Sequence, residues 1–330
     1  MKAAHPIIVI GSSAGGWETL PVLLENLPED LAASVFIVQH LSSENMGAGF
    51  VKHLAERSVL PCAFAVNKEP IVPGRVYLAP PDHHILLTED SIRTSKGPRE
   101  NGFRPSVDTL FRSAAMHFTT GVIGVILSGM RDDGVEGLVS ISRTGGITIV
   151  QDPNNAPYPD MPQAALKHLD VDYVVSTNDM GLVIAGLVYH PSKKQVAIPK
   201  DISDEATIAQ RVLTSLDFVE QAGDGSGFTC PSCGGVLWDI DHGEFHSFRC
   251  HAGHAFGMET LFQFKVKEVE ETLWASLRLL EEQKRMLNKF PITSLDTSSI
   301  SRRIAESQRY IDLLRTILLK EENGNGQHEK

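Results

Sequence analysis

Short, continuous apolar runs alternate with amphipathic stretches over the first 190 residues of the chain. The runs are rich in Val and Ile and end at turn residues, which is typical of strands buried on both faces of a parallel sheet. Eight strands are predicted, the fourth and fifth as a hairpin: Ile7–Ile10, Val35–Gln39, Arg75–Ala79, Ile85–Leu87, Ile92–Thr94, Gly121–Leu127, Ile147–Val150 and Tyr173–Ser176.

The segments between these strands place apolar residues three and four positions apart, which predicts helices packed on the sheet. They are Trp17–Leu27, Gly49–Ser58, Ser106–Phe118, Gly134–Thr144, Met161–His168 and Met180–His190. Because strands and helices alternate, the sequence predicts an α/β fold with a doubly wound, mostly parallel, Rossmann-like sheet over residues 1–190.

The pattern changes after residue 190, where Pro, Gly and polar residues replace the apolar runs. Such a stretch is typical of a surface linker. The predicted units of this half are a linker at 191–227, a zinc-ribbon-like Cys/His unit at 228–257, a helical hairpin at 258–322 and a disordered tail at 323–330.

Composition narrows the class of protein. The net charge of −11, with no basic run longer than two residues, argues against nucleic-acid binding. No stretch approaches the roughly 20 apolar residues of a membrane-spanning helix, and the N-terminus lacks the features of a signal peptide. The four cysteines are too few and too clustered for a disulfide scaffold. We therefore expect a cytoplasmic protein that does not insert into membranes.

Residues 6–20, PIIVIGSSAGGWETL, join the first strand to the first helix through a Gly-x-Ser-x-Gly turn. Such a bend exposes the hydroxyl of Ser13 and directs backbone N–H groups of the helix N-terminus toward it, which suits a nucleophile beside an oxyanion site. Turns of this kind also bind phosphate. Taken alone, the turn leaves nucleophile and anion-binding loop as alternatives.

Two further residues make the nucleophile the better interpretation. His40 directly follows the second predicted strand, and Asp133 lies in the loop SGMRDDG after the strand GVIGVILS. Because the carboxyl ends of parallel strands share one sheet edge, Ser13, His40 and Asp133 can converge as nucleophile, base and acid. Other acids that follow strands are Asp132, Asp152 and Asp82.

Three better-known site types do not fit the turn. An α/β-hydrolase elbow follows several strands and has the chain order Ser, Asp or Glu, His, whereas this serine follows the first strand in the order Ser, His, Asp. The run GSSAGG is not the dinucleotide fingerprint G-x-G-x-x-G, and no acid ends the second strand. A Walker A loop would need a Lys after its last Gly.

Four motifs in order, IGSSAGG, IVQH, FRPSVDTLF (103–111) and ILSGMRDDG (126–134), resemble the catalytic domain of CheB, the bacterial chemotaxis protein-glutamate methylesterase family. The resemblance covers about residues 5 to 190. It implies a doubly wound parallel sheet, with Ser13 as nucleophile, His40 as base and Asp133, rather than Asp132, as acid. Backbone N–H groups near Ala14 and Met130 are expected to hold the oxyanion.

The same resemblance implies hydrolysis of γ-glutamyl methyl esters on methylated chemoreceptor-type proteins, without a catalytic cofactor, and glutamine deamidation in some members. Two departures bear on control and substrate preference. The catalytic motifs begin at residue 5, which predicts that no receiver domain controls the site in cis. Arg131 and Asp132 stand where Gly and Asn are common in the family. The alternative function is a catalytically weak signalling adaptor.

The Cys/His unit carries a C-x-x-C pair, Cys230 and Cys233, and a C-x-x-x-H pair, Cys250 and His254. Four such ligands on two turns predict a structural zinc ribbon, since so short a unit buries little core of its own. Receiver-less relatives resemble this part too, with a similar unit before an LWA-containing helix. Alternative fourth ligands are His251, His246 and His242.

The final helical stretches, Met258–Lys289 and Ser298–Lys320, carry apolar residues at threes and fours and are separated by Pro291. This pattern predicts a hairpin whose apolar stripe is mainly its own core. A two-helix hairpin leaves apolar surface exposed, so dimerisation or docking of a receptor or partner is the alternative role of these helices.

Overall fold

The Val- and Ile-rich runs form strands in the computed structural model, which describes residues 5–41, 46–189, 197–199, 202–203, 223–241, 246–290 and 296–324. The strands of the first 190 residues are β1 (Ile7–Ser12), β2 (Ser34–Gln39), β3 (Cys62–Phe64), β4 (Arg75–Leu78), β5 (His84–Leu87), β6 (Ile92–Ser95), β7 (Val122–Ile126), β8 (Ile147–Gln151) and β9 (Tyr173–Val175).

Seven of these strands form one sheet in the order β3-β4-β2-β1-β7-β8-β9, and every neighbouring pair is parallel. Strands β5 and β6 form a separate antiparallel hairpin. The central strand β1 has β2 on one side and β7 on the other, so the carboxyl ends of these three strands are neighbours. Open α/β sheets bind their ligands at this edge.

Within the described residues up to 189, helices cover both faces of the sheet: α1 (Gly16–Glu25), α2 (Met46–Arg57), α3 (Val107–Phe118), α4 (Val135–Arg143), α5 (Asp160–His168) and α6 (Thr177–Tyr189). Alternate strand residues point to opposite faces. Ile7 and Val9 therefore pack with α3, α4 and α5, whereas Ile8 and Ile10 pack with α1, α2 and α6. The predicted doubly wound α/β fold is confirmed.

Two local features differ from the sequence prediction. Strand β3 was not predicted, because this edge strand of three half-buried residues contains no long apolar run. Helices α1 and α4 begin just after glycines with positive φ, Gly15 at 82° and Gly134 at 100°, where a left-handed residue ends the preceding turn. The other ends of these six helices agree with the predicted ones to within three residues.

Residues 1–261 form one compact unit, which includes the Cys/His unit. The latter is a four-stranded antiparallel sheet of β10 (Asp224–Thr229), β11 (Val236–Asp241), β12 (His246–Cys250) and β13 (Ala255–Gly257). Its first strand begins within the stretch assigned to the linker, so residues 224–227 are part of this sheet. The rest of the predicted linker lies almost wholly outside the described residues.

The second unit begins at Phe262 and contains helix α7 (Met258–Lys289) except for its first four residues, together with α8 (Thr297–Gly324). Leu277, Ile311 and Leu318 are the buried centre of this hairpin. Helix α8 continues two residues into the predicted tail, and residues 325–330 lie outside the described part. Among the described helices, none has the apolar length that a bilayer crossing requires.

Candidate active site and metal centre

The turn after β1 places Ser13 at a bend fixed by backbone groups. The Ser13 N–H donates to the carbonyl oxygen of Ser128 at 3.0 Å, and the Gly16 N–H donates to the Ser13 carbonyl at 3.1 Å. Gly15 has a φ of 82°, and a Cβ there would lie 2.5 Å from Ser128 Oγ. The glycine therefore permits both the left-handed turn and the close approach of the loop after β7.

His40, at the end of β2, lies between the predicted nucleophile and the predicted acid. Its Nδ1 is 3.2 Å from Ser13 Oγ, and its Nε2 is 2.8 Å from Asp133 Oδ2. An ionised carboxylate only accepts hydrogen bonds, so Nε2 carries the proton and Nδ1 is free to accept the serine hydroxyl. The Gln39 side-chain amide donates to the carbonyls of Ser13 and His40 and so links the two loops.

Asp133 is fully buried after β7 and accepts several hydrogen bonds besides that from His40. The donors are Asn101 Nδ2 at 3.0 Å, Ser106 Oγ at 2.9 Å and the Val107 N–H at 2.7 Å. Burial by itself would raise the pKa of the Asp133 carboxyl. The hydrogen bond and charge of His40, together with these donors, more than offset burial and hold that pKa below its ordinary value.

Phe103 covers one face of the His40 ring. Its ring stacks on the His40 imidazole with centroids 3.7 Å apart and planes 7° from parallel. The guanidinium of Arg131 lies 5.9 Å from the centroid of the Phe103 ring. The stack fixes the plane of the imidazole.

An open cleft of about 430 Å³ lies in front of Ser13. Trp17 and Tyr158 present exposed aromatic surface there, at 39% and 46% exposure. The lining residues are Ser13, Ala14, Gly15, Trp17, Glu18, Gln39, His40, Leu41, Phe103 and Tyr158. A flexible side chain can enter this cleft and bring a carbonyl carbon to the serine hydroxyl.

The two predicted oxyanion positions differ in their placement. Ala14 lies in the cleft wall, and its N–H donates to no acceptor among the described residues. Met130 is 52% exposed on the loop after β7, outside the residues that line the cleft. The preceding residue, Gly129, approaches the serine closely, because a Cβ on it would lie 2.8 Å from Ser13 Cβ.

The alternative acids lie elsewhere and have partners of their own. Asp132 accepts a hydrogen bond from the hydroxyl of Thr260, and burial raises its pKa. Asp82 forms an ion pair with Arg104 at 2.7 Å. Asp152 accepts the Asn154 N–H in its own turn. Both His40 ring nitrogens are taken up by the serine and by Asp133, so none of these carboxylates orients the imidazole.

A buried polar cluster beside the acid did not emerge from the sequence. Glu100 is fully buried and pairs with Arg112 and Arg249, and Arg112 also pairs with Glu136. Burial would raise the pKa of Glu100, but the two guanidinium charges lower it to about 2. Glu100 and Asn101 lie two to three residues before the motif FRPSVDTLF (103–111), and this proximity is a signal that could have drawn attention to them.

The four predicted metal ligands converge in the Cys/His unit. Cys233 Sγ lies 3.7 Å from Cys250 Sγ, and His254 Nδ1 lies 3.5 Å from Cys250 Sγ and 3.7 Å from Cys230 Sγ. All four ligand atoms lie within 4.8 Å of one another. Zinc–sulfur bonds of about 2.3 Å at tetrahedral angles separate two ligands by about 3.7 Å, so the set fits a zinc ion.

Two tight turns hold these ligands. The Gly234 N–H donates to the Cys230 carbonyl, and the Gly253 N–H donates to the Cys250 carbonyl, each at 2.8 Å. Of the alternative ligands, His246 pairs with Asp239 at 2.9 Å and His251 is exposed. His242 lies outside the described residues.

Comparison with known proteins agrees with this architecture. A protein-glutamate methylesterase/protein-glutamine glutaminase of Geobacter metallireducens is 41% identical over 162 residues, covering 48% of this chain and 46% of its own. The corresponding Pseudomonas aeruginosa protein is 40% identical over 164 residues, covering 49% of each chain. A Leptospira interrogans protein whose name carries the same two activities is 40% identical over 173 residues, which are 52% of this chain and 89% of its own.

The chain therefore spans about half the length of the first two relatives and most of the third. The crystal structure of the Thermotoga maritima CheB methylesterase catalytic domain superimposes with a TM-score of 0.55 and 30% identity, covering 56% of this chain and 100% of that domain. The family model described as CheB methylesterase matches residues 8–184. The chain belongs to the CheB methylesterase family.

Proposed function

We propose that this protein is a serine hydrolase that removes methyl groups from γ-glutamyl methyl esters of chemoreceptor-type proteins. The observation that carries the proposal is the continuous hydrogen-bonded series from Ser13 Oγ through His40 to Asp133, at 3.2 and 2.8 Å, beside an open cleft. The names of the relatives support methylated glutamate side chains of a protein as the substrate and add glutamine deamidation as a second reaction. No catalytic cofactor is needed for this chemistry.

In the first half-reaction, Nδ1 of His40 takes the proton of the Ser13 hydroxyl while Oγ attacks the γ-carbonyl carbon of the substrate. The tetrahedral intermediate then breaks its bond to the methoxy oxygen, which leaves as methanol with the proton from Nδ1. Asp133 accepts the Nε2–H throughout and stabilises the imidazolium. The products of this step are methanol and an acyl-serine.

In the second half-reaction, Nδ1 takes a proton from water as the water oxygen attacks the acyl carbon. The bond to Ser13 Oγ breaks, the serine regains its proton from His40, and glutamate is released. With a glutamine substrate the leaving group is ammonia. The Ala14 N–H in the cleft wall is proposed to hold the oxyanion, and one such donor contributes roughly 3 kcal/mol in comparable sites.

The cleft accounts for the substrate class. A glutamyl methyl ester places its carbonyl at the end of a flexible, mostly apolar side chain, and Trp17 and Tyr158 offer exposed apolar surface for it. A free carboxylate product would face Glu18 on the same wall, which favours its release. We assign a structural role to zinc in the Cys/His unit, since the four protein ligands fill a tetrahedral site.

The test is methanol release from methylated chemoreceptor membranes. Ser13→Ala is expected to lower the turnover about a million-fold, as removal of the serine does in other triads. Ser12→Ala is the matched control, because its hydroxyl donates to the Ser128 carbonyl rather than to His40. Equal rates for wild type and Ser13→Ala would contradict the proposal, as would phosphonate labelling that persists in that variant.

A signalling adaptor is the second candidate function, and one observation favours it. Helix α7 exposes large apolar side chains, among them Phe262 at 64% and Trp274 at 47%. Such surface suits a protein partner or a second copy of the chain. An adaptor would keep its effect on receptor signalling in Ser13→Ala and lose it when these side chains become polar, whereas an esterase would show the opposite pattern.

A further inference from the structure

Asn101 lies between the triad acid and the Cys/His unit and is 4% exposed. Its side-chain Nδ2 donates to Asp133 Oδ1 at 3.0 Å and to Asp108 Oδ2 at 2.9 Å. Its Oδ1 accepts the Gly257 N–H at 2.8 Å, and its own N–H donates to the Ala255 carbonyl at 2.7 Å. One residue thus contacts the acid with one end of its amide and strand β13 with the other.

The residue before it makes a second connection to the same strand and turn. Glu100 pairs with Ala255 in a parallel bridge, and its carboxylate accepts Arg249 Nη1 at 3.3 Å as well as Arg112. Arg249 Nη1 also donates to the carbonyl of Gly253, within the turn that joins two of the metal ligands. The buried guanidinium therefore links the ligand turn to the segment that carries Asn101.

A third connection reaches the acid loop itself. The carboxylate of Asp132 accepts the hydroxyl of Thr260, which is fully buried in the first turn of α7. Asp132 directly precedes Asp133 in the chain. The acid loop and the Asn101 segment are thus both bonded to residues 255–260, immediately after the last metal ligand.

These contacts make the position of the acid depend on the Cys/His unit. Ala255 is the next residue after the ligand His254, so the metal fixes the start of β13. Without metal, the turn keeps its backbone hydrogen bonds and the bond from Arg249, but it loses the coordination that ties Cys250 and His254 to Cys230 and Cys233. A displaced β13 would leave the Asn101 amide free to turn away from Asp133.

We infer that Asn101 is a positioning residue for the triad acid, and that the metal-loaded Cys/His unit holds it in place. The inference rests on the proposed function and extends it: the metal, although remote from the substrate, sets the rate of the chemical step. Asn101 touches neither Ser13 nor the cleft, so its effect should fall on turnover and not on substrate binding.

The first experiment replaces Asn101 by Gly in the full chain. Gly suits the left-handed backbone, where φ is 52°, and so removes the side chain without adding strain. We expect kcat to fall about 10- to 100-fold with KM unchanged, the size of a lost hydrogen bond to a charged group. Asn154→Gly, in an exposed turn, is the control and should leave kcat unchanged.

The second experiment removes the metal. Zinc content is measured on the wild type and on Cys233→Ser, and zinc is stripped from the wild type with a chelator. Both metal-depleted forms should show a kcat loss at least as large as that of Asn101→Gly, and zinc should restore the stripped wild type. Cys62→Ala is the control, because this cysteine lies in β3 and outside the ligand set.

A double-variant test separates a shared path from two independent defects. If the metal acts through Asn101, the Asn101→Gly/Cys233→Ser double variant should be no slower than the slower of its two parents. Losses that multiply in the double variant would overturn the inference. Should Cys233→Ser fail to fold, the chelated wild type and chelated Asn101→Gly give the same comparison.

A final readout needs no substrate. The Nε2 proton of His40, bonded to Asp133, should give a low-field proton resonance in the zinc-loaded wild type, and should broaden in Asn101→Gly and in the metal-free protein. A resonance unchanged in both would overturn the inference. Absence of methanol release from the wild type, with this resonance sensitive to metal, would contradict the proposed substrate and leave the positioning role standing.

Discussion

Ser13 and Asp133 lie on opposite sides of His40 and are held in different ways. The serine is placed by backbone groups of neighbouring loops, with Gly15 providing the left-handed turn, and it faces an open cleft. The acid is fully buried and is held by side chains from distant segments, including Asn101. The proposed nucleophile is therefore positioned mainly through its backbone, which Ser128 and Gln39 contact, whereas the proposed acid is positioned through its own buried side chain.

The two regions also differ in buried charge. Carboxylates and guanidinium groups form one buried network beside Asp133. Burial would raise the pKa of Glu100, but Arg112 and Arg249 lower it to about 2. Burial and the charge of Asp133 instead raise the pKa of Asp108, which favours its neutral form. The charge of Glu100 is thus compensated by arginines and Asp108 is favoured in its neutral form. The negative charge of Asp133 can therefore be buried beside them.

Among the variants that test this difference, Asp133→Asn should cause the largest loss of activity. An amide facing Nε2 favours the wrong imidazole tautomer, and the same change in a serine protease lowers kcat about 10⁴-fold. We expect a loss of that order in methanol release, with the fold unchanged by circular dichroism. Asp152→Asn, at the same sheet edge, is the matched control, and an equal loss there would show that the acid has been misassigned.

Low pH should have the next largest effect, because it removes the stabilisation that the buried Glu100 carboxylate provides. Because the pKa of Glu100 is about 2 against an ordinary 4.5, its stabilisation is fully present above pH 4.5 and is lost as the pH falls toward 2. This loss amounts to at most about 3 kcal/mol. The free energy of unfolding of the zinc-free protein, measured in urea between these pH values, should fall more steeply with decreasing pH for wild type than for Glu100→Gln. Equal slopes would count against a strongly paired Glu100.

Gly15→Ala tests the backbone-built side. A left-handed alanine costs roughly 1–2 kcal/mol, and its Cβ would meet Ser128 Oγ and Pro157. We expect a loss of stability of that size or more, together with lower turnover. Gly186→Ala is the control, since that helical glycine has open space around it and should be neutral or stabilising. Thermal unfolding and methanol release measure both variants.

Phe103→Leu should produce the smallest effect. Loss of the stack on His40 removes roughly 0.5–1.5 kcal/mol of interaction, which corresponds to a decrease in kcat of about 2- to 12-fold. Phe290→Leu, on exposed surface in the other unit, should leave kcat unchanged. An unchanged kcat in Phe103→Leu would mean that the hydrogen bonds of the imidazole orient it without help from the ring.

The sheet and the convergence of the three triad residues could be predicted because each signal is local. Strands β1, β2 and β7 are continuous apolar runs, and their carboxyl ends share one edge by the geometry of parallel sheets. The C-x-x-C and C-x-x-x-H spacings likewise predict that four ligand atoms meet, and their atoms do lie together. Strand β3 was missed because three edge residues carry no periodicity.

The acid-side network could not be predicted, since its members are far apart in the chain. Arg249 and Glu100 are separated by 149 positions, and neither belongs to a motif of known spacing. This buried ion pair forms only when strand β12 packs against the segment between β6 and α3. Sequence patterning places the strands and helices but does not specify which polar residues of one segment meet those of another.

The contact between Asn101 and Gly257 has a consequence for the order in which the protein is made. The ribosome completes Gly257 156 residues after Asn101, and Thr260 128 residues after Asp132. A nascent chain can therefore build the whole seven-stranded sheet and expose its serine before these partners of the acid loop have been synthesised. The last hydrogen bonds of the acid loop therefore form only after residue 260 has been synthesised.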